Sequence, residues 1–218
     1  LVSYEAMGVV AQTKLPDAVG DWRLGVLEST LDVFAWDSRA IWSLDLEYAS
    51  GAWRLDAREV QLPESREGPG GDGGAPKAAR PRRDERAVLP MDDRLMVFDG
   101  PRLVEIIPGV DGLDFRVSTL AGPVSGVCVA SADGNTIACI EKASDGSVVT
   151  FLRRTENGWL MTSTLALDEV AQSAAALDDT TFVLAGGVQT AWGDASGWLA
   201  VVGASGTIMT EGEHPSKV

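Results

Sequence analysis

The sequence predicts an all-β fold assembled from repeated four-stranded antiparallel units. Three observations predict it. Apolar residues alternate with polar or small ones over short runs, the period of a strand with one face buried. Turn signals rich in Asp, Asn and Gly separate those runs. A glycine-led segment recurs along the 218 residues.

Taken in order, Leu1 to Ser29 holds short apolar runs at Val2–Tyr4 and Met7–Ala11, a loop with Pro16 and Gly20, and then Trp22 to Leu27, an incomplete unit. Leu31–Trp36, Ile41–Tyr48 and Ala52–Val60 alternate, with turns at Asp37-Ser38-Arg39 and Ala49-Ser50-Gly51. Residues 63–86 differ in kind. They hold four Pro, five Gly and both charges, with no aliphatic residue larger than Ala. Such a tract cannot bury enough apolar area to offset its ordering entropy, so it reads as a mobile insertion. Its second half is basic, with Arg80, Arg82 and Arg83 as a short docking or targeting element in an acidic chain.

Order returns at Ala87-Val88-Leu89. Arg94–Phe98, Arg102–Ile107 and Leu113–Val117 follow, separated by Asp99-Gly100-Pro101 and Gly109–Gly112. Ser125 to Leu165 is the clearest stretch. Its four runs are separated by Ala132-Asp133-Gly134-Asn135, Ala143-Ser144-Asp145-Gly146 and Glu156-Asn157-Gly158. The last unit comprises Ala171–Leu177, Thr181–Ala185, Trp198–Val202 and Thr207–Met209. Leu165 to Leu177 spaces its apolar residues poorly for a helix and reads as connector plus strand. Residues 212–218 read as a flexible tail.

The recurring segment is led by Gly20, Gly51, Gly112, Gly158 and Gly206, each just before a strand opening with a large apolar residue. Turns that need a positive φ explain the glycine. The spacings are 31, 61, 46 and 48 residues. With the insertion removed they approach the period of about 40 to 50 that a propeller blade requires. About five units are visible. They form a β-propeller in one domain over 1–218, within this chain or as part of a larger ring. A β-sandwich of short strands is the alternative.

Val127 to Ala138 resembles the segment of WD40-type blades that joins the second and third strands, where a small-apolar strand runs into Ser-x-Asp-Gly-x and out into another. The family pattern is departed from elsewhere. Trp-Asp occurs once, as Trp36-Asp37, and the single histidine, His214, belongs to no Gly-His signature. The resemblance implies a divergent WD40-like propeller whose partners are other protein subunits of a cytoplasmic or nuclear complex.

Composition excludes some classes. A net charge of −14 disfavours nucleic acid, whose phosphates need clustered Lys and Arg. It suits either a solvated surface or a face that steers a basic partner. No run approaches the roughly 20 apolar residues of a membrane span. The start, Leu1 to Glu5, shows no signal peptide. Two cysteines and one histidine leave no Cys/His zinc site, and no cofactor motif is present.

Cys128 and Cys139 sit on facing strands. A two-residue loop at Asp133-Gly134 places them opposite as a hydrogen-bonded pair with Cα atoms about 5.5 Å apart. A three-residue loop sets Cys128 against Ala138. Two buried free thiols are the favoured outcome. Asp92-Asp93 and Asp178-Asp179 read first as turn residues. Trp22, Trp53 and Trp159 recur at equivalent places and read as structural, whereas Trp36, beside a turn, and Trp192, in a Gly-rich loop, are candidates for partner contact.

These features lead to the expectation of a non-enzymatic interaction scaffold within a multi-protein complex, with Trp192, Trp36, Arg80, Arg82 and Arg83 as contact residues. The alternative is an exported glycan-binding or glycoside-processing propeller that uses paired carboxylates at Asp92, Asp93, Asp178 and Asp179. A bacterially exported sensor or lipoprotein propeller is a third class.

Overall fold

The computed structural model describes residues 2–3, 8–9, 22–37, 39–63, 86–189 and 195–216. Trp192, Arg80, Arg82 and Arg83 lie outside them. Β-strands and turns account for the described chain. A short pair, β1 (Val2–Ser3) and β2 (Gly8–Val9), precedes four four-stranded antiparallel sheets.

The first sheet comprises β3 (Arg23–Val26), β4 (Val33–Trp36), β5 (Ile41–Ala49) and β6 (Ala52–Glu59). The second comprises β7 (Ala87–Pro90), β8 (Leu95–Asp99), β9 (Arg102–Gly109) and β10 (Gly112–Thr119). The third comprises β11 (Val127–Ala130), β12 (Thr136–Ala143), β13 (Gly146–Thr155) and β14 (Gly158–Leu167). The fourth comprises β15 (Ala171–Ala176), β16 (Thr181–Gln189), β17 (Ala195–Gly203) and β18 (Thr207–Ser216). Each sheet pairs its strands in chain order. First strands of successive sheets touch, β7 with β11 and β11 with β15. The sheets are therefore blades arranged around a common inner side, a β-propeller architecture.

Among the described residues, four blades stand where five units were expected. The extra unit came from Gly20 and Trp22. Trp22 immediately precedes β3, the first strand of blade 1, so the segment opens that blade and does not constitute another. The other four glycines do what the repeat predicts. Gly51, Gly112, Gly158 and Gly206 all have positive φ, and all stand at the entry to the fourth strand of their blade. Residues 212–216, expected in a flexible tail, are the end of β18.

Three apolar cores separate the four blades, because each strand sends alternate side chains to opposite faces. Phe34, Trp36 and Ile41 of blade 1 pack with Leu95, Val97 and Ile106 of blade 2. Met96, Phe98 and Leu103 pack with Ile137, Leu152 and Trp159 of blade 3. Ala138, Val149 and Phe151 pack with Phe182, Leu184 and Trp198 of blade 4. Trp36 is thus a buried core residue, which corrects its assignment as a contact residue: its ring fills the space beside Gly25, where a Cβ would lie 2.9 Å from it.

Cys128 and Cys139 are joined in a disulfide with Cα atoms 4.0 Å apart, which corrects the expectation of free thiols. The register is Cys128 opposite Cys139, as the shorter loop predicts. The loop is closed, however, by Ser131 N–H donating to Thr136 O at 2.8 Å. That makes Ser131 and Thr136 the hydrogen-bonded pair. Two-residue alternation then leaves Cys128 and Cys139 as a non-hydrogen-bonded pair, whose Cα atoms come closer than those of a bonded pair.

Candidate functional site

In every blade the connections between first and second strands and between third and fourth strands emerge on the same side, because the strands are antiparallel and consecutive. Acidic side chains of three blades stand there. Asp92 and Asp93 of blade 2, Asp133 and Asn135 of blade 3, and Asp178 and Asp179 of blade 4 all occupy first-to-second connections.

Most of these carboxylates serve the loops themselves. Asp133 accepts hydrogen bonds from Ser131 Oγ at 2.6 Å, Asn135 N at 3.0 Å and Asn135 Nδ2 at 2.9 Å. The Ser131 hydroxyl, followed by the Asn135 donors, holds the Asp133 carboxyl below the ordinary carboxylate range. Ser131 Oγ in turn accepts from Thr136 N at 2.9 Å, so the Ser-x-Asp-Gly segment is a self-contained turn lock. Asp178 accepts from Thr180 N at 2.8 Å, and this backbone bond, with the Thr181 and Thr180 donors, lowers its pKa.

Asp93 and Arg94 form the strongest electrostatic unit. Arg94 Nε and Nη2 grip the two Asp93 oxygens at 2.6 and 2.5 Å, while Nη1 donates to Glu105 Oε1 at 2.7 Å. Arg94 and Glu105 are both buried. The hydrogen bonds from Arg94 outweigh burial and hold the Asp93 carboxyl below its usual range, with a smaller contribution from the Arg154 charge. Glu105 carries a signal visible in the sequence: it is the one charge inside the apolar run Leu103 to Ile107. A charge in such a place requires a partner.

Among the clefts on this side, two lie between blades 2, 3 and 4. The first, of about 890 Å³, lies between blades 3 and 4. Asn135, Arg153, Thr162, Asp179, Thr180 and Ser205 are among its walls. The second, of about 820 Å³, lies between blades 2 and 3 and includes Glu105, Arg116, Asn157 and Arg154. Register directs the two central arginines apart. Arg154 pairs with Trp159 and shares its side, toward blade 2, whereas Arg153 pairs with Leu160 on the side of Phe151, toward blade 4. Arg153 and Asp179 have no hydrogen-bond or ion-pair partner among the described residues. Asp179 is a free carboxylate of the first cleft and Arg153 a free cation, while Arg154 also reaches its wall.

The predicted paired carboxylates are therefore not equivalent. Asp93 and Asp178 are committed to Arg94 and to the Thr180 turn, and Asp92 accepts Ser29 N–H and Oγ–H through its backbone carbonyl. Only Asp179 faces the first cleft with free oxygens. Sequence reasoning missed Arg153, Thr162 and Ser205 because the cleft exists only once two blades are set side by side.

No protein-family model matches the chain. No curated protein matches it either. Among solved structures, a Bacteroides fragilis protein described as a candidate 6-phosphogluconolactonase shares the fold, with a TM-score of 0.51 and 15% identity. The match covers 89% of this chain and 57% of that one, so this chain spans little more than half the length of its structural neighbour. The likeness confirms the propeller fold and carries no WD40 membership. It also corrects the expectation of a non-enzymatic scaffold, since a structure sharing this architecture bears the name of an enzyme, a 6-phosphogluconolactonase.

Proposed function

We propose that this chain is the substrate-recognising part of a carbohydrate-processing propeller, with the cleft between blades 3 and 4 as its sugar site. The observation that carries the reading is the lining of that cleft. Thr136, Thr162, Thr180, Thr181, Ser205 and Thr207 surround one amide, one free carboxylate and the guanidiniums of Arg153 and Arg154. Hydroxyl and amide groups both donate and accept, which suits the many hydroxyls of a sugar.

The chemistry best matched is hydrolysis of a sugar lactone. Cleavage of a glycosidic bond calls for two carboxylates facing each other across it, and here Asp178 is consumed by its turn. Lactone opening needs one base and stabilisation of a developing oxyanion. Asp179 is the base: it removes a proton from water as the oxygen attacks the lactone carbonyl. Arg153 faces the negative charge that forms there. The ring C–O bond breaks, the ring oxygen takes a proton, and the product is a hydroxy acid. The neighbour's name, a lactonase acting on a phosphorylated sugar, supports this reaction class.

The Cys128–Cys139 disulfide supports an exported setting for this activity, since such bonds persist in oxidising compartments. The test is direct. Gluconolactone and 6-phosphogluconolactone hydrolysis are followed by proton release, and sugar binding by saturation-transfer NMR. Asp179→Asn is expected to lower kcat by about 10²-fold or more with binding retained, a size usual for loss of a general base. Arg153→Ala is expected to weaken the transition state similarly. Absence of both turnover and sugar binding by the wild type overturns the proposal.

A further inference from the structure

The cleft between blades 2 and 3 repeats the sugar site one blade away. Each of the two clefts lies where the turn before a fourth strand reaches the fourth strand of the preceding blade. Ser163 of β14 donates from Oγ to Ala204 O of blade 4 at 2.8 Å. Ser118 of β10 accepts on Oγ from Trp159 N of blade 3 at 3.2 Å. A Cβ at Gly206 would meet Ser163, and one at Gly158 would meet Ser118. The same clasp between neighbouring blades thus shapes both clefts.

The clefts are also joined. Asn135 and Arg154 stand on the walls of both. Arg154 N donates to Asn135 O at 2.8 Å and holds the two residues together. The second cleft carries side chains that the fold does not use. Arg116 and Asn157 are exposed on its wall and have no hydrogen-bond or ion-pair partner among the described residues. Glu105 is committed to Arg94 at 2.7 Å. Charges balance on each wall. Asp133 and Asp179 stand against Arg153 and Arg154 in the first cleft. Glu105 and Glu156 stand against Arg116 and Arg154 in the second. A wall without net charge gives an anionic ligand no advantage, whereas guanidinium, carboxylate and amide forks suit paired hydroxyls.

Resting on the sugar-site reading above, we infer that the two clefts are one trough, and that its substrate is the lactone of an uncharged oligosaccharide. The lactone end lies beside Asp179 and Arg153. Further sugar units run past Asn135 and Arg154 into the second cleft, where Arg116 and Asn157 hold them. A ligand built of repeating units matches a site that repeats by one blade. The volumes agree: about 890 and 820 Å³ are each the size of a whole small-molecule pocket, more than one sugar ring fills.

Turnover of gluconolactone, of 6-phosphogluconolactone and of the lactones of cello- and malto-oligosaccharides, from disaccharide to tetrasaccharide, tests this. In one of the two series kcat/KM is expected to rise about tenfold over gluconolactone, mostly through KM, the size of one or two hydrogen bonds gained. The phosphorylated lactone gains nothing over gluconolactone. Arg116→Ala with Asn157→Ala brings the ratio of oligosaccharide to monosaccharide lactone back to about one, whereas Arg153→Ala lowers both substrates alike. A rate independent of chain length in both series overturns the inference and leaves the lactonase reading standing. So does a preference for 6-phosphogluconolactone. If no lactone is turned over, saturation-transfer NMR decides between the two. Oligosaccharides bound by the wild type and released by the double variant keep the trough and remove the hydrolysis. No binding overturns both.

Discussion

Blade 3 and blade 1 have the same plan and opposite surroundings. Blade 3 is covered on both faces, and Trp159 closes its outer corner against blade 2. Blade 1 meets another described blade on one face only, and Trp53, at the same register position, remains 44% exposed against Tyr48, ring centroids 5.1 Å apart. Local sequence is nearly the same, Asn157-Gly158-Trp159 against Ser50-Gly51-Ala52-Trp53. The difference in burial therefore lies in the neighbour and not in the strand. Strand formation is local here, whereas stabilisation is a property of adjacent blades.

The largest expected effect separates the two blades outright. Phe151→Ala, at a fully buried position between blades 3 and 4, should cost about 4 kcal/mol. Trp53→Ala should cost under about 1 kcal/mol, since much of its surface already meets water. Urea unfolding monitored by circular dichroism compares them, and equal costs would break the distinction.

Glu105→Gln tests whether the buried charge of blade 2 matters as much as its core. Breaking the Arg94–Glu105 pair should cost about 3 kcal/mol. Glu105→Gln combined with Arg94→Met, which removes both charges, should recover part of it. The disulfide sharpens the contrast from the other side. Cys128→Ser with Cys139→Ser should lower stability by about 2 to 3 kcal/mol, the scale for closing a short loop. The midpoint shift on adding reductant to the wild type gives the same quantity.

Glycine substitutions give a smaller effect. Gly158 has φ +113° and a Cβ there would lie close to Ser118 Oγ of blade 2, whereas Gly51 has φ +82° and open space around it. Gly158→Ala should cost about 2 kcal/mol and Gly51→Ala about 1, read as thermal midpoints. The smallest effect is in acid. Asp93 has a lowered folded pKa. Its contribution is complete above the unfolded value near pH 4 and is lost as pH falls through the lower folded value. Asp93→Asn should therefore flatten the decline of the thermal midpoint below pH 4 and leave its slope above pH 5 unchanged.

Much of this plan was legible in sequence where a blade's signals are local. The Asp-Gly and Asn-Gly turns, together with alternation, place every strand of blade 3 to within a few residues. The first strand of blade 1 was not set apart because Arg23–Val26 is four residues long and largely exposed, so it lacks a one-sided apolar pattern. The facing register of Cys128 and Cys139 was one of two the sequence allowed, but their bond went against the expectation of free thiols, and the hydrogen-bond parity turned on Ser131 closing the loop, which spacing does not encode. The first cleft was illegible for a different reason. Arg153 and Asp179 come from different blades, and no periodicity within one blade relates them.

The Cys128–Cys139 bond has a mechanical consequence. A chain pulled from its ends feeds out length strand by strand, but the 11-residue span between the cysteines is locked out of that length. Full extension of the oxidised protein should fall short of the reduced one by about 32 to 36 Å, at roughly 3.3 to 3.6 Å per residue less the 4.0 Å between the bridged Cα atoms. In a force–extension trace, blade 3 would announce its redox state as a missing length.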